Sequence, residues 1–173
     1  ERDEKYFALH MAAQCSFRLQ QFQEGHEYVD RLQSEDVYFD SVGVLDLLSA
    51  SGYEDAEELG MAQSVYEKVL EEQTRPRLRS RAFWRLGLIY QFDYDSLKIA
   101  KQYYDSTASL ARSSDYGQEA LQRSADIGKL EEFARDVEID STTSQMVIDE
   151  AAYTQYQLSE LYWFKLNKPD TAI

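Results

Sequence analysis

Proline and glycine are scarce in this chain, with two prolines and seven glycines among 173 residues. A many-stranded sheet needs such residues at its turns, so their scarcity argues against a sheet fold. Long apolar runs are missing as well, and no stretch approaches the roughly 20 residues that a helix needs to span a bilayer. Hydrophobic residues still make up 43% of the chain, which is enough for a core. The composition therefore favours an all-α protein.

Cysteine and histidine are also rare, which limits disulfide and metal chemistry. The one cysteine, Cys15, excludes an internal disulfide bond. Because it stands near Ala12 and Leu19 in an apolar helical segment, we predict a buried structural thiol. His10 and His26 lie 16 residues apart, without an accompanying pattern of cysteines or carboxylates. Neither a zinc site nor a nucleophile and base can be argued from these histidines.

The known signatures of enzymes are missing too. The sequence contains no glycine-rich phosphate loop and no G-x-S-x-G, H-E-x-x-H or Walker pattern. Acidic residues are plentiful, but the pairs Glu57-Glu58, Glu71-Glu72 and Glu131-Glu132 are typical of solvated helix faces. We therefore predict that the chain is not an enzyme and that it holds no cofactor and no metal ion.

Basic residues are outnumbered, and the net charge of −14 argues against binding to nucleic acids or anionic lipids. One segment is an exception, because residues 75–85 contain no acid and five arginines: Arg75, Arg77, Arg79, Arg81 and Arg85. Arg77, Arg81 and Arg85 are spaced i, i+4, i+8 and therefore form one stripe on a helix.

The same segment carries the pattern of a helical hairpin. Four positions, separated by three, one and three residues, share one side of a helix: Phe83, Leu86, Gly87 and Tyr90. The glycine leaves a notch in that side. After a turn at residues 92–96, Ala100 and Tyr104 lie four apart on the next helix and supply a small residue and a plug. The spacing predicts two antiparallel helices in close contact.

This hairpin resembles the tetratricopeptide repeat (TPR). In that unit of about 34 residues, an aromatic residue, a Leu-Gly pair and a tyrosine mark the first helix, and a small residue and an aromatic mark the second. The resemblance implies a right-handed superhelical array of antiparallel helix pairs, with about eight helices in this chain. Such units bind partners and rarely catalyse reactions.

A second copy of the pattern follows 72 residues later. Leu86, Tyr90 and Ala100 correspond to residues of the same type, which are Leu158, Tyr162 and Ala172. Both copies place the alanine ten residues after the tyrosine, which is one residue more than is usual in the family. This shared departure indicates internal repetition.

The rest of the chain divides into less regular units. We assign approximate units at residues 3–34, 36–73 and 76–113, then long helices at 115–138 and 142–166 and a truncated last unit. In the second unit, an insertion at residues 49–58 lengthens either a helix or a connection. The stretch 113–130 resembles the helix that follows the terminal repeat in bacterial envelope proteins of this superfamily. The chain begins without methionine and stops within its last motif, so we expect one helical repeat domain from a longer protein.

The resemblance also implies where a partner would bind. One side of the first helix of the third unit would line a groove, and together with the arginine stripe the candidate residues are Arg77, Arg81, Trp84, Arg85, Leu88 and Gln91. An acidic or C-terminal peptide would suit such a surface. In the alternative interpretation, acids on neighbouring helices, such as Asp40 or Asp46, neutralise these arginines.

Two further features bear on this prediction. The carboxylate clamp of chaperone-binding members needs a lysine and an asparagine, and this chain has Trp84 and Leu88 in those positions. A second aromatic stripe, on the last unit, is interpreted as core that lacks a partner helix. Its members are Tyr153, Tyr156, Trp163 and Phe164.

We therefore predict a non-catalytic module that binds a protein or peptide, with acidic segments as one option, in the groove formed by the first helices. The alternative is a structural or assembly subunit of a bacterial envelope complex, which associates through its helical edges. We expect no nucleic acid partner and no membrane span in this chain, while a homo-oligomer stays open. The location also stays open between bacterial periplasm or envelope and cytoplasm.

Overall fold

The computed structural model of the protein describes residues 2–133 and 145–165. These residues form eight α-helices: α1 (Arg2–Arg18), α2 (Phe22–Gln33), α3 (Val42–Asp55), α4 (Leu59–Glu72), α5 (Pro76–Phe92), α6 (Leu97–Ala111), α7 (Asp115–Phe133) and α8 (Gln145–Glu160). A short 3₁₀ segment at Asp36–Ser41 precedes α3, and a π-helical turn at Leu161–Lys165 follows α8. No strand occurs within the described residues. The prediction of an all-α array with about eight helices is confirmed.

The helices pack in chain order, each against the next. In addition, the odd-numbered helices contact one another in sequence, α1 with α3, α3 with α5 and α5 with α7. The odd-numbered helices therefore form a continuous layer of the array.

The core of the described residues is divided into three clusters along this layer. Helices α3 and α5 each contribute to two of them, because the two sides of each helix face different neighbours. Helix α3 places Leu45 in the first cluster and Leu47 in the second. Helix α5 places Leu86 in the second cluster, while Trp84 and Leu88 pack against the third. Stability in such an arrangement comes from the interfaces between neighbouring elements.

The hairpin of α5 and α6 is held by a glycine and a tyrosine. Tyr104 and Ala100 on α6 are fully buried, and the Tyr104 ring lies directly against Gly87 of α5. A Cβ atom on Gly87 would come within 2.5 Å of the Tyr104 ring atom Cε1. Any side chain at position 87 would therefore push the two helices apart or displace the ring.

The other α5 positions of the hairpin pattern contribute in different ways. Leu86 is fully buried. Phe83 is half-buried, and its ring centroid lies 6.1 Å from that of Tyr103. Tyr90 is half-buried as well, and its hydroxyl accepts a hydrogen bond of 3.2 Å from the Gln63 amide.

The second copy of the pattern lies at the C-terminal end of the described chain. Leu158 on α8 and Tyr162 in the turn that follows pack, half-buried, against the cluster that contains Ala100. Ala172 lies outside the described residues. Helices α7 and α8 lie within the long helices predicted at 115–138 and 142–166, and the π-helical turn also lies within the second range. The remaining residues of the two predicted helices, 134–138, 142–144 and 166, are outside the described residues.

The insertion predicted at residues 49–58 lengthens a helix. Helix α3 continues to Asp55 and is followed by a turn before α4. The added helical residues bring Ser51, Glu54 and Asp55 into the odd-numbered layer, where they contribute to the site described below.

The prediction of a buried Cys15 is wrong, because the residue is exposed. The buried positions of α1 are Ala13, Ser16 and Phe17, which lie on the side that faces α2 and α3. Cys15 falls on the opposite side of the helix. Apolar neighbours in the sequence did not reveal which side of α1 meets the core.

The first hairpin is packed around the ring of Phe17. Gly25 on α2 and Gly52 on α3 both lie against this ring, and a Cβ atom at either position would overlap it. Phe17 itself is 4% exposed, so its ring is largely enclosed by these neighbours.

We predict that Gly52→Ala lowers the free energy of unfolding by about 1–3 kcal/mol, because the added methyl group overpacks a confined ring. The matched control is Gly60→Ala on α4, where a Cβ atom would meet nothing within 4 Å. There the better helix propensity of alanine should leave stability unchanged or raise it by up to about 1 kcal/mol. Urea unfolding followed by circular dichroism measures both changes, and equal midpoints for the two variants would contradict this packing.

Candidate functional site

A cavity of about 470 Å³ opens in the layer of odd-numbered helices. It is lined by α3, α5 and α7, with one residue from α4, and the lining residues are Leu47, Ser51, Asp55, Tyr66, Arg81, Trp84, Arg85 and Tyr116. Three of the six candidate residues, Arg81, Trp84 and Arg85, therefore meet at one cavity.

A second cavity, of about 170 Å³, continues from the first toward α1. The two share Ser51 and Asp55 of α3, and the second is completed by Gln14, Phe17, Arg18 and Leu48. Together the two cavities cross α1, α3, α5 and α7. We refer to them below as the groove.

The Arg85 guanidinium is paired with a carboxylate inside the protein, which neutralises its positive charge. Its Nε donates a 2.9 Å hydrogen bond to Oε1 of Glu54, and its Nη2 pairs with Oε2 of the same carboxylate. The Tyr66 hydroxyl also donates to Glu54. Burial and then the adjacent Glu54 carboxylate raise the pKa of Tyr66 well above its usual range, so the hydroxyl keeps its proton. Glu54 thus holds one side chain from α4 and one from α5.

The acids that the sequence suggested as neutralising groups have other partners. Asp46 is buried and bonds to Lys68 at 3.1 Å and to Gln33 at 2.8 Å. Asp40 pairs with Arg75 at 3.7 Å. Neutralisation within the protein therefore applies to Arg85, through Glu54, and to Arg75.

Arg79 is also engaged, at the end of the preceding helix. Its Nη1 donates to the carbonyl oxygens of Leu70 at 3.1 Å and Gln73 at 3.4 Å, and its guanidinium lies 5.8 Å from the Phe83 ring centroid. These contacts cap the C-terminus of α4, where carbonyl groups lack helical partners.

Arg77 and Arg81 differ from the other arginines of the segment. Both are exposed, and within the described residues neither guanidinium forms a hydrogen bond or an ion pair. Arg81 lines the groove, whereas Arg77 does not. Arg81 is therefore the cation of this stripe that a bound group could reach without displacing an internal partner.

Trp84 and Leu88 are half-buried beside the groove, on the side of α5 that faces α6 and α7. The Trp84 ring centroid lies 5.5 Å from that of Tyr104, and the guanidinium of Arg123 lies 5.8 Å from the Trp84 centroid. Leu88 packs against the same cluster and does not line the groove. Part of Trp84 therefore belongs to the core, and its remaining surface lines the cavity.

The assignment of Gln91 to the groove is corrected by the structure. The side chain is fully buried, its amide oxygen accepts a 2.6 Å hydrogen bond from the Tyr104 hydroxyl, and Arg123 donates to the same oxygen at 3.3 Å. At this point α5 lies under both α6 and α7, so a polar residue there is enclosed and needs internal partners.

Sequence reasoning missed the contribution of α3 and α7 to the groove. Leu47, Ser51 and Asp55 are each four residues apart, so they share one side of α3, and this spacing could have identified them once the helix was known to continue through residue 55. Tyr116 carries no such signal. It is placed by a 3.1 Å hydrogen bond between its hydroxyl and that of Ser80.

The aromatic stripe on the last unit is largely exposed. Tyr153, Tyr156, Trp163 and Phe164 are each more than half accessible, the most exposed being Phe164 at 73%. Within the described residues, nothing covers this side of α8 and the turn that follows.

Neither a metal site nor a membrane-spanning helix is found within residues 2–133 and 145–165. No group of three or more His, Cys, Asp or Glu side chains there could hold a metal ion. No helix in these ranges is long and apolar enough to cross a membrane.

Comparisons with known protein families, with curated proteins and with solved structures yield no match for this chain. A functional interpretation therefore depends on the geometry of the groove and on the repeat pattern.

Proposed function

We propose that this chain is a non-catalytic, TPR-like interaction module that binds a protein or peptide segment in the groove of its odd-numbered helices. One observation carries this proposal. Arg81, exposed and without an internal partner among the described residues, lies beside the half-buried ring of Trp84 in a cavity of about 470 Å³.

The chemistry of the groove favours an acidic segment that also has an apolar side chain. The guanidinium of Arg81 can donate two parallel hydrogen bonds to a carboxylate, which is a strong and directional form of recognition. Trp84 and Leu47 offer apolar surface in the same cavity. Partly exposed tryptophan and arginine are the residue types that contribute most to binding at interfaces.

The packing order supports the proposed likeness to TPR arrays. Neighbouring helices pair along the chain, and the first helices of successive pairs contact one another. The cavities of the groove are lined mainly by α1, α3, α5 and α7, the helices that would be the first of each pair, which supports this proposal.

Selection from an unbiased peptide library displayed on phage tests this function. We expect the enriched peptides to combine Asp or Glu with an aliphatic or aromatic residue. Arg81→Glu should weaken their binding roughly 10- to 100-fold, because a charge-assisted hydrogen bond of about 1.5–3 kcal/mol is lost. Fluorescence polarisation with the synthetic peptides measures the change.

The control is Arg112→Glu, an identical change of charge at an exposed position after α6 that does not line the groove. It should bind the selected peptides as the unmodified protein does. The proposal fails if no peptide is enriched, or if both variants lose affinity equally, since the second result would reflect net charge and not the groove.

A second candidate function is that of an assembly subunit that associates through its helical edges. The exposed aromatic residues on α8 and the turn after it favour this candidate, because soluble monomers rarely leave such residues uncovered as a group. Replacement of Tyr153 and Tyr156 by serine should then reduce association in sedimentation experiments while leaving peptide selection unchanged.

A further inference from the structure

The groove carries three charged side chains that have no partner among the described residues. Four charged residues line its two cavities, and they are Arg18, Asp55, Arg81 and Arg85. Arg85 is neutralised by its pairing with Glu54. The other three are exposed, and none of them forms a hydrogen bond or an ion pair with another described residue. Their charges are therefore available to a bound segment.

Asp55 lies between the two available cations. It lines both cavities, whereas Arg81 lines the larger one and Arg18 lines the smaller one. The helices follow the same order, because α3, which carries Asp55, contacts both α1 and α5. The available charges of the groove therefore alternate across the odd-numbered helices, from positive through negative to positive.

The stability of the chain does not account for Asp55. It is the last residue of α3, and the last turn of this helix contains no basic residue. The C-terminal end of a helix carries a partial negative charge, so an exposed and unpaired acid is mildly unfavourable there. A cation bound in the groove would give this carboxylate the partner that it lacks within the described chain.

We propose that the groove recognises a segment in which one basic residue lies between two acidic residues, with Asp55 selecting the base. This inference rests on the proposed peptide-binding function and specifies its ligand. Arg18 and Arg81 each pair with one of the acids. A segment with an acid in the central position would bring two carboxylates together at Asp55, and such a contact disfavours the wrong partner.

The arrangement of the helices also sets the spacing of the three charges in the ligand. Neighbouring packed helices lie about 8–10 Å apart, and an extended chain advances about 3.3 Å per residue. The base and each acid should therefore be about three residues apart. The order of acid, base and acid is the same from either end, so the prediction does not depend on the direction in which the segment binds.

The test uses the variant Asp55→Lys with the matched control Glu72→Lys. Glu72 is the last residue of α4, is exposed, and lines neither cavity of the groove. Both variants thus change the net charge equally, at the same position of a helix. A lysine is favourable at a helix C-terminus, so both variants should fold, and circular dichroism checks this expectation.

Parallel selections from the phage-displayed peptide library compare the two variants with the unmodified protein. We expect the unmodified protein and Glu72→Lys to enrich peptides with Lys or Arg between two acids, and Asp55→Lys to enrich Asp or Glu in the central position. Fluorescence polarisation then compares a selected peptide with its counterpart in which glutamate replaces the central base. The unmodified protein should bind the first about tenfold more tightly, because an attractive contact is exchanged for a repulsive one, and Asp55→Lys should reverse this preference.

The outcomes separate this inference from the function on which it rests. If all three proteins enrich the same central residue while Arg81→Glu still weakens binding, the charge order is wrong and the peptide-binding function stands. If Asp55→Lys and Glu72→Lys shift the preference equally, net charge and not Asp55 selects the ligand, which also overturns the inference. If the unmodified protein enriches no peptide, the proposed function fails and the inference fails with it.

Discussion

Replacement of Tyr104 by alanine is expected to lower the free energy of unfolding by about 3–5 kcal/mol, which is the range for removing a large buried aromatic residue. The ring is fully buried between α5 and α7, and it contacts Gly87 and Trp84. Its hydroxyl donates to buried Gln91. Both the packing and the hydrogen bond are lost at once. Urea unfolding followed by circular dichroism gives the value.

A conservative variant separates these two contributions. Tyr104→Phe keeps the ring and removes the hydrogen bond to Gln91, so it should cost about 1 kcal/mol. If Tyr104→Phe proves as destabilising as the alanine variant, the hydroxyl, and not the ring in the glycine notch, would be the main source of stability.

A double-mutant cycle tests the notch directly. In the unmodified protein, Gly87→Ala should destabilise by about 1–3 kcal/mol, because the new methyl group meets the Tyr104 ring. In the Tyr104→Ala background the obstruction is gone, and the same change should be neutral or stabilising through the helix propensity of alanine. The effect of Gly87→Ala should thus change sign between the two backgrounds. Additive effects would show that residues 87 and 104 are not coupled.

The α5–α6 hairpin shows which parts of the fold could be predicted from the sequence. Its pattern requires a small residue on one helix and a large residue at a fixed separation on the next. Gly87 and Tyr104 can be recognised in the sequence as such a pair. The turn at residues 92–96 was predictable for the same reason, since α5 ends at Phe92 and α6 begins at Leu97. Local spacing is sufficient where close helix packing requires particular residue types.

The errors arose where one helix has several neighbours. Cys15 has apolar neighbours in the chain yet faces outward, because the core side of α1 is chosen by α2 and α3. Gln91 is polar yet enclosed, because α6 and α7 both cover the end of α5 and supply its hydrogen-bond partners. Such choices depend on contacts between distant parts of the chain, which the periodicity of a single helix does not contain.

The partner of Arg85 was missed for a related reason. Glu54 lies 31 residues from Arg85 in the chain, in the helical extension of α3, and it is among the chain's 32 acidic residues. Only the tertiary packing of α3, α4 and α5 brings its carboxylate to Arg85 and Tyr66. The same contact left Arg81 as the accessible cation of the larger cavity.

Removal of the Glu54 carboxylate is expected to change stability and binding in opposite directions. Glu54→Ala leaves the Tyr66 hydroxyl and the Arg85 guanidinium without their shared acceptor, and the Glu54 side chain is 10% exposed in the folded protein. An unsatisfied buried polar group costs about 1–3 kcal/mol, so the free energy of unfolding should fall by that amount. The loss is kept to this range because the Arg85 side chain is 42% exposed and regains water.

The effect on the groove should be a gain. Arg85 lines the same cavity as Arg81, and without Glu54 its guanidinium becomes available to a bound carboxylate. One additional hydrogen bond of about 1 kcal/mol corresponds to roughly fivefold tighter binding of the acidic peptides selected with the unmodified protein. Fluorescence polarisation with those peptides, alongside urea unfolding, measures both quantities for each variant.

The double variant Glu54→Ala/Arg85→Ala distinguishes this mechanism from general loosening of the site. It should lose the gain in affinity, because Arg81 is then the one arginine left among the residues that line the larger cavity. It should also remain less stable than the unmodified protein, since Tyr66 still lacks its acceptor. Weaker binding by Glu54→Ala would contradict the proposed competition and would mean that Glu54 shapes the groove. The opposite changes in stability and affinity are what internal neutralisation of Arg85 implies, because a carboxylate that holds α3, α4 and α5 together also occupies the guanidinium that an acidic ligand would use.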